Sequence, residues 1–133
     1  KRNSSLIKFE FKPFKETIFS SINRTLFEWV IENIVKNAID SMKGNGNILI
    51  GVYKVNNEIQ ILIEDDGLGI EPKFHSKIFS SGFSSKKKGW GLGLSLSKRI
   101  ISEYHNGKIF INNSEINKGT TIELNLPVFK ENS

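Results

Sequence analysis

A carboxylate at the head of a glycine motif, a second glycine motif and a lysine run between them are the residues of this chain most able to do chemistry. Ile63-Glu64-Asp65-Asp66-Gly67-Leu68-Gly69-Ile70 closes an apolar run in which Ile59, Ile61 and Ile63 alternate with Gln60 and Leu62. Gly89-Trp90-Gly91-Leu92-Gly93-Leu94 leads into an amphipathic segment. Between the two lie Phe79, Phe83, Ser84, Ser85 and Lys86-Lys87-Lys88. A glycine-rich turn that opens a helix offers bare N–H groups and the positive end of the helix dipole, which suits an anion. The lysines beside it would neutralise a phosphorylated ligand. Neither motif has the spacing of the phosphate loop ending in Gly-Lys-Ser/Thr or of the dinucleotide fingerprint. Taken alone, the glycines fit a tight turn equally well.

The third unusual feature is upstream. Phe27, Val30, Ile31, Ile34, Val35, Ala38 and Met42 form an apolar stripe at helical spacing, which predicts a helix over Leu26–Met42. Asn33, Asn37, Asp40 and Ser41 form a polar row on it. Asparagine in mid-helix costs about 0.5 kcal/mol against alanine. A solvated face would explain one such residue; a pair four apart, backed by an aspartate, fits a lined pocket as well.

Composition narrows the field. The 133 residues suit one domain, 1–133, with an ordinary core. The absence of cysteine removes disulfides and thiolate chemistry, and two histidines, His75 and His105, are too few for a histidine metal cage. No apolar run approaches the ~20 residues of a membrane span, and the N-terminus does not read as a signal peptide. The net charge of +5 suits an anionic ligand but serves solubility equally well.

The elements that must hold these residues follow in order. Ile7, Phe9 and Phe11 alternate with charged residues as a strand that Pro13 ends, and a second extended piece is expected over Thr17–Phe19. Asn23 is placed to cap the helix, and Lys43-Gly44-Asn45-Gly46 to stop it with glycine. Asn47–Val55 and Glu58–Glu64 read as a hairpin turning at Asn56-Asn57. A helical turn is expected over Pro72–Phe79 and a helix over Leu92–Tyr104, ended by Asn106-Gly107. Strands are expected over Lys108–Asn112 and Thr120–Leu126, joined by a turn over Asn113–Gly119. This order predicts an α+β sandwich. Its sheet is mixed and mostly antiparallel, with helices packed on one face and a lid over about 71–90.

In that order the motifs resemble the catalytic, ATP-binding domain of two-component sensor histidine kinases, within the superfamily that includes gyrase-type ATPases and large heat-shock chaperones. Glu32 to Ala38 looks like the N box, Asp65 to Gly69 like the first glycine box, and Phe79 to Phe83 with Ser84-Ser85-Lys86 like the F box. Gly89 to Leu94 looks like the second glycine box, and Gly119-Thr120-Thr121 with Leu126-Pro127 like the terminal motif. The resemblance implies ATP and Mg²⁺ as ligands. It puts the Asn37 amide oxygen on the metal, Asn33 on phosphate or metal-bound water, and Asp65 on the adenine amino group. Gly67 and Gly69 are implied to let backbone approach the base, Ile70 and Leu94 to offer apolar surface, and Thr120 to reach the adenine side. Gly89, Gly91, Leu92, Gly93, Ser84 and Ser85 complete the implied nucleotide contacts, with Lys86 (or Lys87 or Lys88) on the terminal phosphates. Asn33, Asn37 and Lys86 are the implied catalytic set.

The hydrolysing branch of that superfamily uses a glutamate four residues before the metal-binding asparagine. Here that position is Asn33, and Glu32 is about 100° round the helix. A missing general base costs about 10²–10⁴-fold, so phosphoryl transfer is expected over hydrolysis. An ATP-hydrolysing clamp and a non-catalytic nucleotide-binding module are the alternatives. The implied acceptor is a histidine on a separate dimerisation domain of the same full-length kinase, with a response regulator downstream. His75, followed by Ser76, and His105, followed by Asn106, do not fit that role; His105 is expected to be structural. The chain itself is expected to be a monomeric, cytoplasmic module without nucleic acid or a membrane anchor. Trp90 departs from the resembled motif and is expected to pack on the lid phenylalanines or to stay partly exposed.

Overall fold

The computed structural model describes residues 6–12, 20, 22–80 and 93–128. Strand β1 (Leu6–Lys12) precedes helix α1 (Arg24–Met42) and the hairpin β2 (Asn45–Val55) and β3 (Glu58–Asp65). A short 3₁₀ turn (Pro72–Phe74) follows, then helix α2 (Gly93–Arg99) running into a π-helical turn (Ile100–Tyr104). Strands β4 (Lys108–Glu115) and β5 (Gly119–Pro127) complete the order. The five strands lie as β1-β2-β3-β5-β4, with β1 parallel to β2 and the other neighbours antiparallel. The expected mixed, mostly antiparallel sheet is therefore present. The piece expected over Thr17–Phe19 lies outside the described residues.

Burial follows the periodicities. Val30, Ile34, Ala38 and Met42 of α1 are buried, and so are Ile59, Ile61 and Ile63 of β3 and Ile122, Leu124 and Leu126 of β5. Residues two apart on a strand share a face and residues three or four apart share a helix stripe, so these two sets meet as one core with the helices on one side. Glu123 points the other way and is nonetheless buried. Burial pushes its carboxyl up, but hydrogen bonds from Gln60 (3.0 Å) and Asn112 (2.8 Å), with Asn125, outweigh that and leave it below the usual range.

The ends of the elements show where local signals failed. Asn23 caps α1 as expected, its Oδ1 accepting the Leu26 N–H at 3.0 Å. The helix stops at Lys43, which itself takes the left-handed conformation (φ +52°), with Gly44 following it rather than providing the cap. Strand β4 runs on to Glu115, beyond the expected Asn112. A register shift between Ile111 and Asn113 absorbs one residue, so that Ser114 and Glu115 still pair with Thr120 and Gly119. The joining turn shrinks to 116–118.

The second helix is not α-helical throughout, and His105 explains why. Its Nε2 accepts the Asn23 N–H at 3.0 Å, so Nδ1 carries the proton and donates to the Ile100 carbonyl at 2.9 Å. The Gly107 N–H reaches back to Ile101 at 2.9 Å. With these carbonyls taken by more distant donors, the last turn widens. The ring also meets Phe27 edge-on, with centroids 5.9 Å apart. His105 thus ties the start of α1 to the end of the α2 segment, the structural role expected of it. His105→Ala is expected to lower stability by about 2–4 kcal/mol, from a lost buried ring, an orphaned buried Ile100 carbonyl and a lost bond to the Asn23 N–H. Urea unfolding measures it; a loss under about 0.5 kcal/mol, the size of an ordinary surface change, would contradict the assignment.

Candidate functional site

The C-terminal half of α1, the end of β3 and the start of β5 enclose a cavity of about 500 Å³. This lies within the range of small-molecule sites. Its apolar lining comes from Ile34, Ile63, Ile70, Phe74, Leu94 and Ile122, and its polar lining includes Asn37, Ser41, Asp65 and Thr120. Of the residues singled out in the sequence, Asn37, Asp65, Gly69, Ile70, Leu94 and Thr120 share this one wall. Leu68 and Ile116 form an exposed apolar rim at the mouth, at 45% and 47% exposure.

Asp65 is the group most strongly shaped by its setting. Its Oδ1 accepts the Gly67 N–H at 2.9 Å and the Ser41 hydroxyl at 3.4 Å. Burial raises its carboxyl above the ordinary value, with the neighbouring Asp66 charge adding to the rise. The hydrogen bonds from Gly67, the Thr120 backbone and Ser41 offset this only in part. A carboxylate has about four lone-pair sites, so capacity remains for a donor arriving from the cavity. Asp66 is the opposite case. It is exposed, and hydrogen bonds from the Asn47 backbone (2.9 Å) and side chain (2.8 Å) hold it below the usual carboxylate range. One carboxylate faces the cavity and the next fastens the start of β2.

The first glycine loop also packs closely on the protein itself. Gly67 and Gly69 were expected to let the backbone approach the base; on the side where a Cβ would project, the protein's own atoms fill the space. A side chain at Gly67 would run into Ser41 Oγ, and one at Gly69, where φ is +76°, into the Glu115 carbonyl. The loop is sewn down at both sides: the Leu68 N–H donates to the Ser41 carbonyl at 3.2 Å, and the Asn117 N–H to the Leu68 carbonyl at 2.7 Å. His75 Nε2–H donates to the Ile70 carbonyl at 2.8 Å, which fixes the start of the following turn.

Asn33 is not on the cavity wall among the described residues. Its Nδ2 donates to Ser97 Oγ at 3.2 Å, and its amide fills the space above Gly93, where a Cβ would lie 2.6 Å from Oδ1. It therefore joins α1 to the start of α2. Gly93 is buried at that contact. Glu32 is exposed and also off the wall. Ser84, Ser85, Lys86, Gly89, Trp90, Gly91 and Leu92 lie outside the described residues.

Two hydroxyls gain a role that the sequence did not assign. Ser41 stood in the polar row of α1 without a function, and it proves to be the contact that shapes Asp65 and Gly67. Ser114 had no signal of its own. Only the pairing of β4 with β5, which sets it opposite Thr120, could have drawn attention to it.

A family model described as "Histidine kinase-, DNA gyrase B-, and HSP90-like ATPase" matches residues 22–130. Sporulation kinase D of Bacillus subtilis is 38% identical over 99 residues, covering 74% of this chain. The chain spans about a fifth of that kinase's length, 19%. The catalytic domain of histidine kinase ThkA superposes with a TM-score of 0.81 at 34% identity, covering 91% of this chain and 78% of that domain. ThkA solved in complex with the response regulator protein TrrA matches with a TM-score of 0.77 at 30% identity, covering 92% of this chain and 34% of that one. No helix among the described residues is long and apolar enough to cross a membrane. A sheet layered on helices, a cavity between them and an acidic wall residue at a glycine loop agree with these likenesses: the chain belongs to the histidine kinase, DNA gyrase B and HSP90-like ATPase family, and within it to the histidine kinase catalytic domains.

Proposed function

We propose that this cavity holds Mg-ATP and that the chain transfers the γ-phosphate to a histidine on a separate dimerisation domain of the same full-length kinase, in the cytoplasm, from which a response regulator takes it. The observation that carries the reading is the meeting of Asp65 and Asn37 on one cavity wall. A desolvated carboxylate at an apolar cavity's floor suits the amino group of adenine, since a charged acceptor makes the stronger hydrogen bond. The aliphatic walls of Ile70, Ile122 and Leu94 suit its ring.

The donor set fits the metal as well. Mg²⁺ prefers oxygen and takes only one or two protein ligands beside substrate phosphates and water. Among the described residues no three His, Cys, Asp or Glu side chains gather as a cage, and the Asn37 amide oxygen is a hard neutral donor on the wall. When bound, the ion would neutralise phosphate charge. Lys86, with Ser84, Ser85, Gly89, Gly91, Leu92 and Gly93, is assigned to the phosphates. Asn33 acts by holding α2 against α1.

Transfer asks the domain for position and charge, not for a base. A histidine nitrogen attacks the γ-phosphorus, the bond to the bridging oxygen breaks and ADP leaves. The position four residues before Asn37, where a water-activating base would sit, is Asn33, which cannot take a proton, and among the described residues the neighbouring Glu32 is exposed away from the cavity. The domain incubated with γ-labelled ATP and its dimerisation domain is expected to place acid-labile label on that domain and none on itself. Label on this chain alone, or steady phosphate release that falls with Glu32→Gln, would contradict the reading.

A further inference from the structure

Ser114 is bonded to the cavity floor from behind. Its Oγ accepts the Ile70 N–H at 2.9 Å and lies 2.7 Å from Thr120 Oγ1. Both hydroxyl residues are buried, at 8% exposure each. Thr120 sits directly opposite Asp65 across β3 and β5, and both line the cavity.

A hydroxyl has one hydrogen and two lone pairs. If Thr120 donated to Ser114, both lone pairs of Ser114 would be filled. Its own hydrogen would then be buried without an acceptor, because among the described residues Ser114 Oγ has only these two partners. The opposite assignment orphans nothing: Ser114 donates to Thr120, and the Thr120 hydrogen is left for the cavity.

We propose that Ser114 is a positioning residue that makes the Thr120 hydroxyl a donor toward the cavity, so that the floor shows one acceptor, Asp65, beside one donor, Thr120. This rests on the nucleotide site argued above. The floor then selects a base whose edge carries the opposite pair. Adenine does, with its amino group donating and N1 accepting. Hypoxanthine carries the reverse, O6 accepting and N1–H donating: it meets like against like at Asp65, and at Thr120 it could bond only to the remaining lone pair, leaving the buried Thr120 hydrogen without an acceptor. The Ile70 bond keeps Ser114 in register: it fills one lone pair and is itself braced by His75 on the Ile70 carbonyl. Without Ser114, the Thr120 hydroxyl is free to turn and accept.

The test is a titration of ADP and inosine diphosphate against the native chain, Ser114→Ala and Ser114→Thr. The native chain is expected to favour ADP. Ser114→Ala is expected to shrink the ratio of the two affinities about tenfold, while Ser114→Thr keeps it. A purely structural role would weaken both nucleotides alike, and an unchanged ratio in Ser114→Ala overturns the proposal. On the native chain alone, 1-deaza-ADP, which lacks the N1 acceptor, is expected to bind about tenfold more weakly than ADP. Equal binding overturns the proposal without recourse to a variant. A native chain that bound neither diphosphate would refute the nucleotide site itself, and this inference with it.

Discussion

The Asp65→Asn chain is expected to bind ADP about a hundredfold more weakly than the native chain, yet to be at least as stable. The two halves have separate causes. At the cavity floor the change puts an N–H₂ where the adenine amino group would find an acceptor, so a buried donor meets a donor, and sites built on such a bond discriminate strongly. In the fold itself little is lost. The asparagine oxygen can accept the Gly67 N–H and the Ser41 hydroxyl as Oδ1 does now, which leaves the Thr120 N–H bond as the one contact to set against the removed charge. Burial holds the native carboxyl above its ordinary 3.8, so folding favours its protonated form. That contribution is complete below 3.8 and is lost as pH rises through the raised folded value, which means the ionised group costs stability at neutral pH. Removing the charge removes the cost. Urea unfolding at neutral pH is expected to show an equal or higher midpoint for Asp65→Asn, with the native chain catching up as the solution is acidified. Intact ADP affinity together with a weakened fold would mean that Asp65 is a structural group and not the base-reading one.

Gly119→Ala is expected to produce the largest loss of stability among glycine-to-alanine changes at the described residues, about 3–5 kcal/mol. Its φ of +115° is strained for any residue with a Cβ, and the added carbon would strike the Asp65 carbonyl and come within 2.7 Å of Asp66 Cα. Backbone cannot swing aside as a side chain can, so β5 would have to part from β3 at the point where Asp65 and Thr120 face each other. Gly44→Ala separates the two causes. Gly44 also has positive φ, +92°, but a Cβ there has open space, and a cost of about 1 kcal/mol is expected from conformation alone. Thermal or urea unfolding of both variants decides it: similar losses would show that the close approach of strands at Gly119 does not matter.

What could be read in advance was whatever repeats. Ile59, Ile61 and Ile63 announce a half-buried strand, and the stripe from Phe27 to Met42 a helix, because burial imposes those periods directly on residue type. Asp65, Gly69 and Ile70 of the first glycine motif, Leu94 at the end of the second and Asn37 of the helix meet on one cavity wall. The features missed depend on partners distant in the chain. The widened turn at Ile100–Tyr104 exists because His105 reaches Asn23, 82 residues away. Ser41 and Ser114 are ordinary hydroxyls until pairing sets one beside Asp65 and the other beside Thr120. Gly67 and Gly69 were recognised, but that an added side chain there would strike Ser41 and Glu115, both distant in the chain, was not legible. Asn33 shares a helix face with Asn37, yet α2 claims it through Ser97.

In the proposed function one cavity reads a purine with Asp65 and grips a metal-bound phosphate chain with Asn37. ADP titrated into the native chain and into Asn37→Ala, each with and without Mg²⁺, tests both ends at once. The native chain is expected to bind ADP more tightly when Mg²⁺ is present. Asn37→Ala is expected to keep its metal-free affinity and lose most of that gain, about tenfold or more for one removed ligand. An undiminished gain in Asn37→Ala, or no ADP binding by the native chain in either condition, would contradict it.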